Sequence, residues 1–188
     1  MLIRICVIKP KSIRIIPVKG DKMNIALLVI DMQKAFFTGD SKKSMEDAAD
    51  YISYTVDLFR DNGLPVVWIQ DEDEEDGNIE GTEGFEIIDI LAPKADEKRI
   101  IKHYGNSFNK TGLLEYLLKE KTDTVIISGY SAEHCVLSTY RGALDHDLTP
   151  IILKNAIASG NRENIRFVEN VSDIVTVKVL NRILKDKT

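Results

Sequence analysis

Six consecutive apolar residues, Ile25-Ala26-Leu27-Leu28-Val29-Ile30, run without a polar interruption and end on Asp31. A strand with one wet face would alternate apolar and polar residues. An unbroken run therefore belongs to a strand covered on both faces, as in parallel sheets with helices above and below. Leu64 to Gln70, Lys98 to Tyr104, Thr124 to Ser128, Leu148 to Leu153 and Ile174 to Val177 read as five more strands. Helices are expected at Ser44 to Asn62, Thr111 to Lys121, Glu133 to His146, Arg162 to Asn170 and Lys178 to Lys185. Phe85 to Leu91 reads as one or two further helical turns. In the first helix Ser44 with Asp47 resembles a capping box, Met45, Ala48, Ala49, Ile52, Val56 and Phe59 recur at helical spacing, and Gly63 and Pro65 end it. Leu113, Leu114, Leu117 and Leu118 form the inward face of the second, and Val136, Leu137, Tyr140, Ala143 and Leu144 that of the third. Strand and helix alternate at intervals suited to right-handed crossovers. The fold class is α/β: a doubly wound, mostly parallel six-stranded sheet with helices on both faces.

A chain of 188 residues suits one such domain, and 44% apolar with 29% charged residues is ordinary for a globular protein. The net charge of −5 argues against nucleic acid as a partner, because phosphate binding needs a basic face. No apolar run approaches the roughly 20 residues of a membrane span. Met1 to Pro10 makes a poor signal peptide, since Arg4 interrupts a short apolar run and no small-residue cleavage site follows. Two cysteines, Cys6 and Cys135, are too few for a disulfide scaffold and agree with a cytoplasmic location. Residues 1–22 read as an N-terminal extension and 23–188 as the domain. The extension carries Arg4, Lys9, Lys11, Arg14, Lys19 and Lys22 against the single acid Asp21. Its two β-branched stretches around Lys9-Pro10-Lys11-Ser12 fit an added β-hairpin, and fit equally a loose extension before a domain beginning at Met23.

Parallel sheets of this kind bring the carboxyl ends of their strands to one edge, where ligands bind. Asp31 ends the first strand and Lys102 the third. The run Val125-Ile126-Ile127-Ser128 ends at Gly129 and leads into a helix whose first turn carries Cys135. This triad suggests a nucleophilic cysteine, with a carboxylate for proton transfer and a lysine for charge. A helix N-terminus and a nearby cation lower a thiol pKa from about 8.5 to roughly 3.5–7.5, so a lowered value is expected for Cys135. Blander readings stay open: Cys135 as a small buried hydrophobe, and Asp31 as a cap on the following segment. His134 adjoins Cys135 but projects about 100° away around the helix, which makes it a surface or supporting residue rather than half of a dyad. His103 points to the opposite strand face from Lys102, and His146 lies at a helix end beside the last carbonyls. The acids Asp71-Glu72-Asp73-Glu74-Glu75-Asp76 lack ligand periodicity and a histidine, and read as a solvated loop with no metal.

Three stretches in this order resemble the isochorismatase-like cysteine hydrolases, the superfamily that includes nicotinamidases and carbamoylsarcosine amidases. The resemblance runs from about Asn24 to Lys185. Leu28-Val29-Ile30-Asp31-Met32-Gln33 with Phe36 resembles the motif that supplies the catalytic aspartate. Lys102, followed by Phe108 and Thr111, resembles the segment that supplies the lysine. Gly129-Tyr130-Ser131-Ala132-Glu133-His134-Cys135-Val136 resembles the nucleophile turn. The resemblance implies a three-layer fold, a small-molecule substrate and a thioester formed when Cys135 attacks an amide-like carbonyl. It also implies a cis peptide before Ser131, an oxyanion hole made by the backbone N–H groups of Ser131 and Cys135, and a homo-oligomer, dimer or tetramer. Phe36, Trp68, Tyr104, Phe108 and Tyr130 are the candidate apolar lining of a substrate pocket, and no cofactor is called for. Ser131-Ala132-Glu133 stands where the family usually has Ala-Thr-Asp, and Asn106-Ser107-Phe108 where it has Asp- or Ser-Ala-Phe. Asp71-Glu72-Asp73 lacks the histidine of the nicotinamidase metal motif. Two other functions fit the same pattern: a non-catalytic binding or scaffold member of the fold, and an isochorismatase-type hydrolase of a vinyl ether or ester.

Overall fold

A computed structural model describes residues 24–75 and 77–185. The N-terminal extension, for which a hairpin and a loose segment were both expected, lies outside the described residues. Six strands, β1 (Ile25–Ile30), β2 (Val66–Asp71), β3 (Lys98–Lys102), β4 (Thr124–Tyr130), β5 (Thr149–Ala158) and β6 (Ile174–Val175), form one sheet. Their order is β3-β2-β1-β4-β5-β6 and every pairing is parallel. The chain reverses its direction of winding between β1 and β4, and ligands of such sheets bind outside the strand ends at that switch point.

Side-chain alternation along β1 divides the core in two. Ile25, Leu27 and Val29 face α1 (Gly39–Asp61) and α5 (Val177–Lys185), whose Met45, Ala49, Ile52, Phe59, Leu180 and Leu184 are buried with them. Ala26, Leu28 and Ile30 face the other way, toward Leu113 and Leu117 of α2 (Leu113–Lys119), Tyr140 and Ala143 of α3 (Leu137–Asp145), and Val168 of α4 (Arg162–Val171). Both faces are therefore covered, as the unbroken apolar run requires.

Several expected elements differ in extent. The helix α1 begins at Gly39, one turn before the expected Ser44, because its first turn lies in solvent and carries no apolar signal. Ser44 is no cap: it is buried within the helix and its Oγ accepts the backbone N–H of Ser159 at 3.1 Å. Asp47 pairs instead with Lys43 and Arg162. Phe85 to Leu91 is not helical. Its apolar residues are spaced for packing, with Ile87 bridging Gln33 and the Ile88 N–H donating to Met32 O. Leu118 and Leu144, expected inside, are exposed at the solvent edges of short helices. The fifth strand continues to Ala158 past a register shift, and the sixth is only two residues long.

Candidate active site

Three strand ends and one helix start meet at the switch point. Lys102 closes β3 and lies in register with Asp71, which closes β2. Its side chain is completely buried and its ammonium has three partners. Nζ lies 2.9 Å from Asp31 Oδ2, 2.6 Å from Asp71 Oδ1 and 3.4 Å from Cys135 Sγ. An ammonium has three protons to donate, so this arrangement uses all of them.

Cys135 is delivered by the turn after β4. Gly129 has φ +115°, and a Cβ there would sit 2.0 Å from the carbonyl oxygen of Ile30, so the close approach of β4 to β1 requires glycine. The peptide between Tyr130 and Ser131 is cis. Ala132–Val136 then forms a single wide π-turn, in which the Val136 N–H donates to Ser131 O, and α3 follows directly. The cysteine thus sits on a π-turn rather than on the ordinary first helical turn expected; such turns recur at functional sites. Glu133 ties this turn to its surroundings. It accepts hydrogen bonds from Ser131 Oγ at 2.8 Å, from Ser159 Oγ at 2.9 Å and from Asn164 Nδ2. Burial alone would raise its pKa, but these donors and its own backbone N–H hold it below the ordinary carboxylate value.

Burial pushes the Asp31 carboxyl up to about 6, against the pull of Lys102. Burial would lower Lys102, yet its partners Asp31, Cys135 and Asp71 outweigh it and hold the ammonium above its ordinary value. The Cys135 thiol is pushed up to about 12, first by burial and then by the Asp31 charge, with Lys102 opposing. This overturns the expected lowering. The cation is present as anticipated, but it is shared between two carboxylates and cannot offset desolvation of a thiolate as well. At neutral pH the site holds the Asp31 and Asp71 carboxylates, the Lys102 ammonium and a protonated Cys135 thiol. Oδ1 of Asp31 is buried without a hydrogen-bond partner among the described residues, and the carboxyl couples to the thiol.

A cavity of about 360 Å³ opens over these groups, lined by Asp31, Phe36, Asp71, Tyr130, Ser131, His134 and Cys135. That volume is within the range of small-molecule sites. The Phe36 and Tyr130 rings stack at 5.4 Å, and Tyr130 Oη hydrogen-bonds Ser41 Oγ at 2.9 Å. The other candidate pocket residues lie elsewhere. Trp68 is buried in the core and its indole N–H donates to Glu97 Oε2 at 2.8 Å. Tyr104 is exposed, with its hydroxyl accepting from Lys110 Nζ. Phe108 packs in the core with its ring tilted against His146. Asn106 and Ser107 likewise pin their loop to α3, Ser107 Oγ meeting Thr139 Oγ1 at 2.7 Å and Asn106 filling the space above Gly142. His103 turns outward, its Nδ1 within 3.1 Å of Glu72 O.

Residues 25–170 match the Isochorismatase domain family. The chain belongs to the isochorismatase family. It is 36% identical over 146 residues to the uncharacterised isochorismatase family protein YrdC of Bacillus subtilis (strain 168), covering 73% of this chain and 76% of that one. Among solved structures, an isochorismatase-like hydrolase from Alkaliphilus metalliredigens superposes with a TM-score of 0.78 at 27% identity, covering 85% of this chain and 98% of the other. The N-carbamoylsarcosine amidase of Thermoplasma acidophilum superposes with a TM-score of 0.70 at 27% identity, covering 82% and 95%.

Sequence reasoning missed one participant in this isochorismatase-family site. Asp71 stood at the head of an acidic run read as solvated loop, yet it is the last residue of β2 and the shortest contact of Lys102. Buried Gln33 holds it, donating to Asp71 O at 2.9 Å and accepting from Asp71 N at 2.8 Å, and Asn78 Nδ2 donates to Asp71 O at 2.8 Å. The available signal was position: Asp71 follows an apolar strand directly, as Asp31 does. Among the described residues, the neighbouring acids are engaged elsewhere. Asp71 is committed to Lys102, Glu72 Oε1 accepts from Glu80 N, and Asp73 Oδ1 accepts from Glu75 N. Among the described residues, no group of three or more His, Cys, Asp or Glu side chains is placed to hold a metal ion.

Proposed function

We propose that this isochorismatase-family protein is a cysteine-dependent hydrolase of a small amide or other C–N bond, acting through a thioester. The observation that carries the reading is the Lys102 ammonium within reach of both Asp31 Oδ2 and Cys135 Sγ, beneath a cavity of small-molecule size. The likeness to an N-carbamoylsarcosine amidase supports C–N chemistry.

The charge state dictates the order of events. With a protonated thiol at rest, Asp31 accepts the proton as Cys135 Sγ bonds to the carbonyl carbon, and Lys102 stabilises the sulfur's developing charge. The carbonyl electron pair moves to oxygen, which the backbone N–H groups of Ser131 and Cys135 receive. Asp31 then gives its proton to the departing nitrogen, the C–N bond breaks, and ammonia or an amine leaves behind a thioester. Water, deprotonated by the same carboxylate, attacks the thioester carbon, and the thiolate leaves with the proton to restore the resting site.

Incubation with small neutral amides, followed by intact-mass spectrometry and an ammonia assay, tests this. An acyl adduct on Cys135 with ammonia or amine release is expected, and both should vanish in Cys135→Ala. Turnover of a vinyl ether or ester without an adduct or nitrogen release would sink the amide reading in favour of an isochorismatase-type reaction.

A further inference from the structure

We infer that the Cys135 cavity sorts substrates by charge, admitting neutral and cationic molecules and turning anions away, with Asp71 as the specificity-determining residue. The inference rests on the proposed hydrolase reading only in taking those molecules to be amides. Asp31 and Asp71 each bring one negative charge and Lys102 one positive, leaving a net single negative charge at the site. A substrate carboxylate finds no donor in Lys102, whose three contacts are taken by Asp31, Asp71 and Cys135. Among the described residues, no arginine and no lysine lines the cavity.

Asp71 is placed to receive a substrate donor. Its carboxylate is partly exposed in the cavity wall, and beyond Lys102 its side chain has, among the described residues, only a long 3.5 Å contact from Asn78 Nδ2 to Oδ2. Gln33 and Asn78 grip its backbone, which fixes the direction of the free lone pairs. Deeper in the cavity, buried Asp31 adds a second carboxylate, whose donors are Lys102 and the Cys135 thiol. Glu72, Asp73, Glu74 and Glu75 follow Asp71 directly in the chain, and Glu72 lies 3.8 Å from His103 Nε2. The stacked Phe36 and Tyr130 rings present a face that suits a neutral or cationic group.

Labelling of Cys135 with charged thiol reagents reads this field without requiring turnover. The rates of a trimethylammonioethyl and a sulfonatoethyl methanethiosulfonate are each divided by the same reagent's rate with mercaptoethanol, and the Cys135 peptide is followed by mass spectrometry. The normalised rate of the cation should exceed that of the anion by about tenfold in dilute buffer. The gap should shrink in about 1 M salt, where screening is nearly complete. In Asp71→Asn it should narrow at least threefold, with folding checked by circular dichroism. An anion that keeps pace with the cation in the wild-type protein overturns the inference, and so does a folded Asp71→Asn with an unchanged ratio. Should that variant fail to fold, the wild-type ratio and its salt dependence decide alone. Failure of every amide to form a thioester, with the charge ratio intact, would sink the hydrolase reading and leave the sorting in place.

Discussion

An ammonium with no exposed surface is retained only by the anions and acceptors around it, and Lys102 has the Asp31 and Asp71 carboxylates and the Cys135 sulfur. Its removal would leave two carboxylates facing each other in a buried space. Lys102→Met should therefore destabilise the fold by about 3–5 kcal/mol, measured by urea unfolding at neutral pH. Restored stability in Lys102→Met combined with Asp31→Asn would show that the cost lies in the unpaired charge rather than in lost packing. In the proposed reaction, Asp31 sets the pH dependence. With its carboxyl at about 6, kcat/KM should fall tenfold per pH unit below that value as the base becomes protonated. Asp31→Asn should lose about 10²–10⁴ in rate and lose the acidic limb of the profile with it. A profile flat between pH 5 and 8 would exclude Asp31 as the base.

At the scale of elements, the turn that carries Cys135 depends on contacts that no periodic pattern signals. Gly129→Ala would press a Cβ into Ile30 O from a left-handed backbone. A loss of about 3 kcal/mol or more in urea unfolding is expected, with activity lost even in the folded fraction. Glu133 is the subtler case, joining the turn to Ser159 beyond β5 and to Asn164 of α4. Glu133→Ala should cost about 2 kcal/mol and lower kcat, whereas Glu133→Gln keeps one acceptor oxygen for Ser159 and Asn164, offers Ser131 Oγ a donor in place of the lost acceptor, and should do less harm. The central strands and the positions of Asp31, Lys102 and Cys135 were legible because unbroken apolar runs mark buried parallel strands and polar residues at their ends stand out. The start of α1 was not, since a solvated first turn has no hydrophobic period to read. Asp71 was hidden by five acidic neighbours that share its chemistry but not its register with Lys102. The thiol's elevated pKa was illegible for another reason: spacing brings a cation near Cys135 but does not reveal how many anions already compete for it.

Across the whole molecule, the site and the far end of the sheet respond to acid in opposite senses. Before β3, Glu97 accepts hydrogen bonds from Arg60 Nε at 2.8 Å, from Trp68 Nε1 at 2.8 Å and from the backbone of Lys94 at 2.8 Å. This cluster anchors the strand that carries Lys102 to α1, while Arg60 Nη2 also holds Ala92 O. Although burial would raise it, those donors keep Glu97 below the ordinary carboxylate value, as others do for Glu133. A carboxyl held low binds fewer protons folded than unfolded, so its stabilisation is present above about pH 4.5 and is lost as the pH falls through its folded value. Asp31 has the reverse sign. Raised from 3.8 to about 6, it binds more protons folded than unfolded, so its charged form costs stability at neutral pH and the loss is recovered on acidification toward pH 4. The urea midpoint should accordingly rise from pH 7 to about pH 5, where the reaction is already failing, and then fall below about pH 4. Asp31→Asn should remove the rise and leave the acid collapse in place, while Glu97→Gln should weaken the fold at pH 7 and blunt the collapse. A wild-type midpoint that declined steadily from pH 7 downward would mean that Asp31 carries no buried charge, and would remove the proposed base from the reaction.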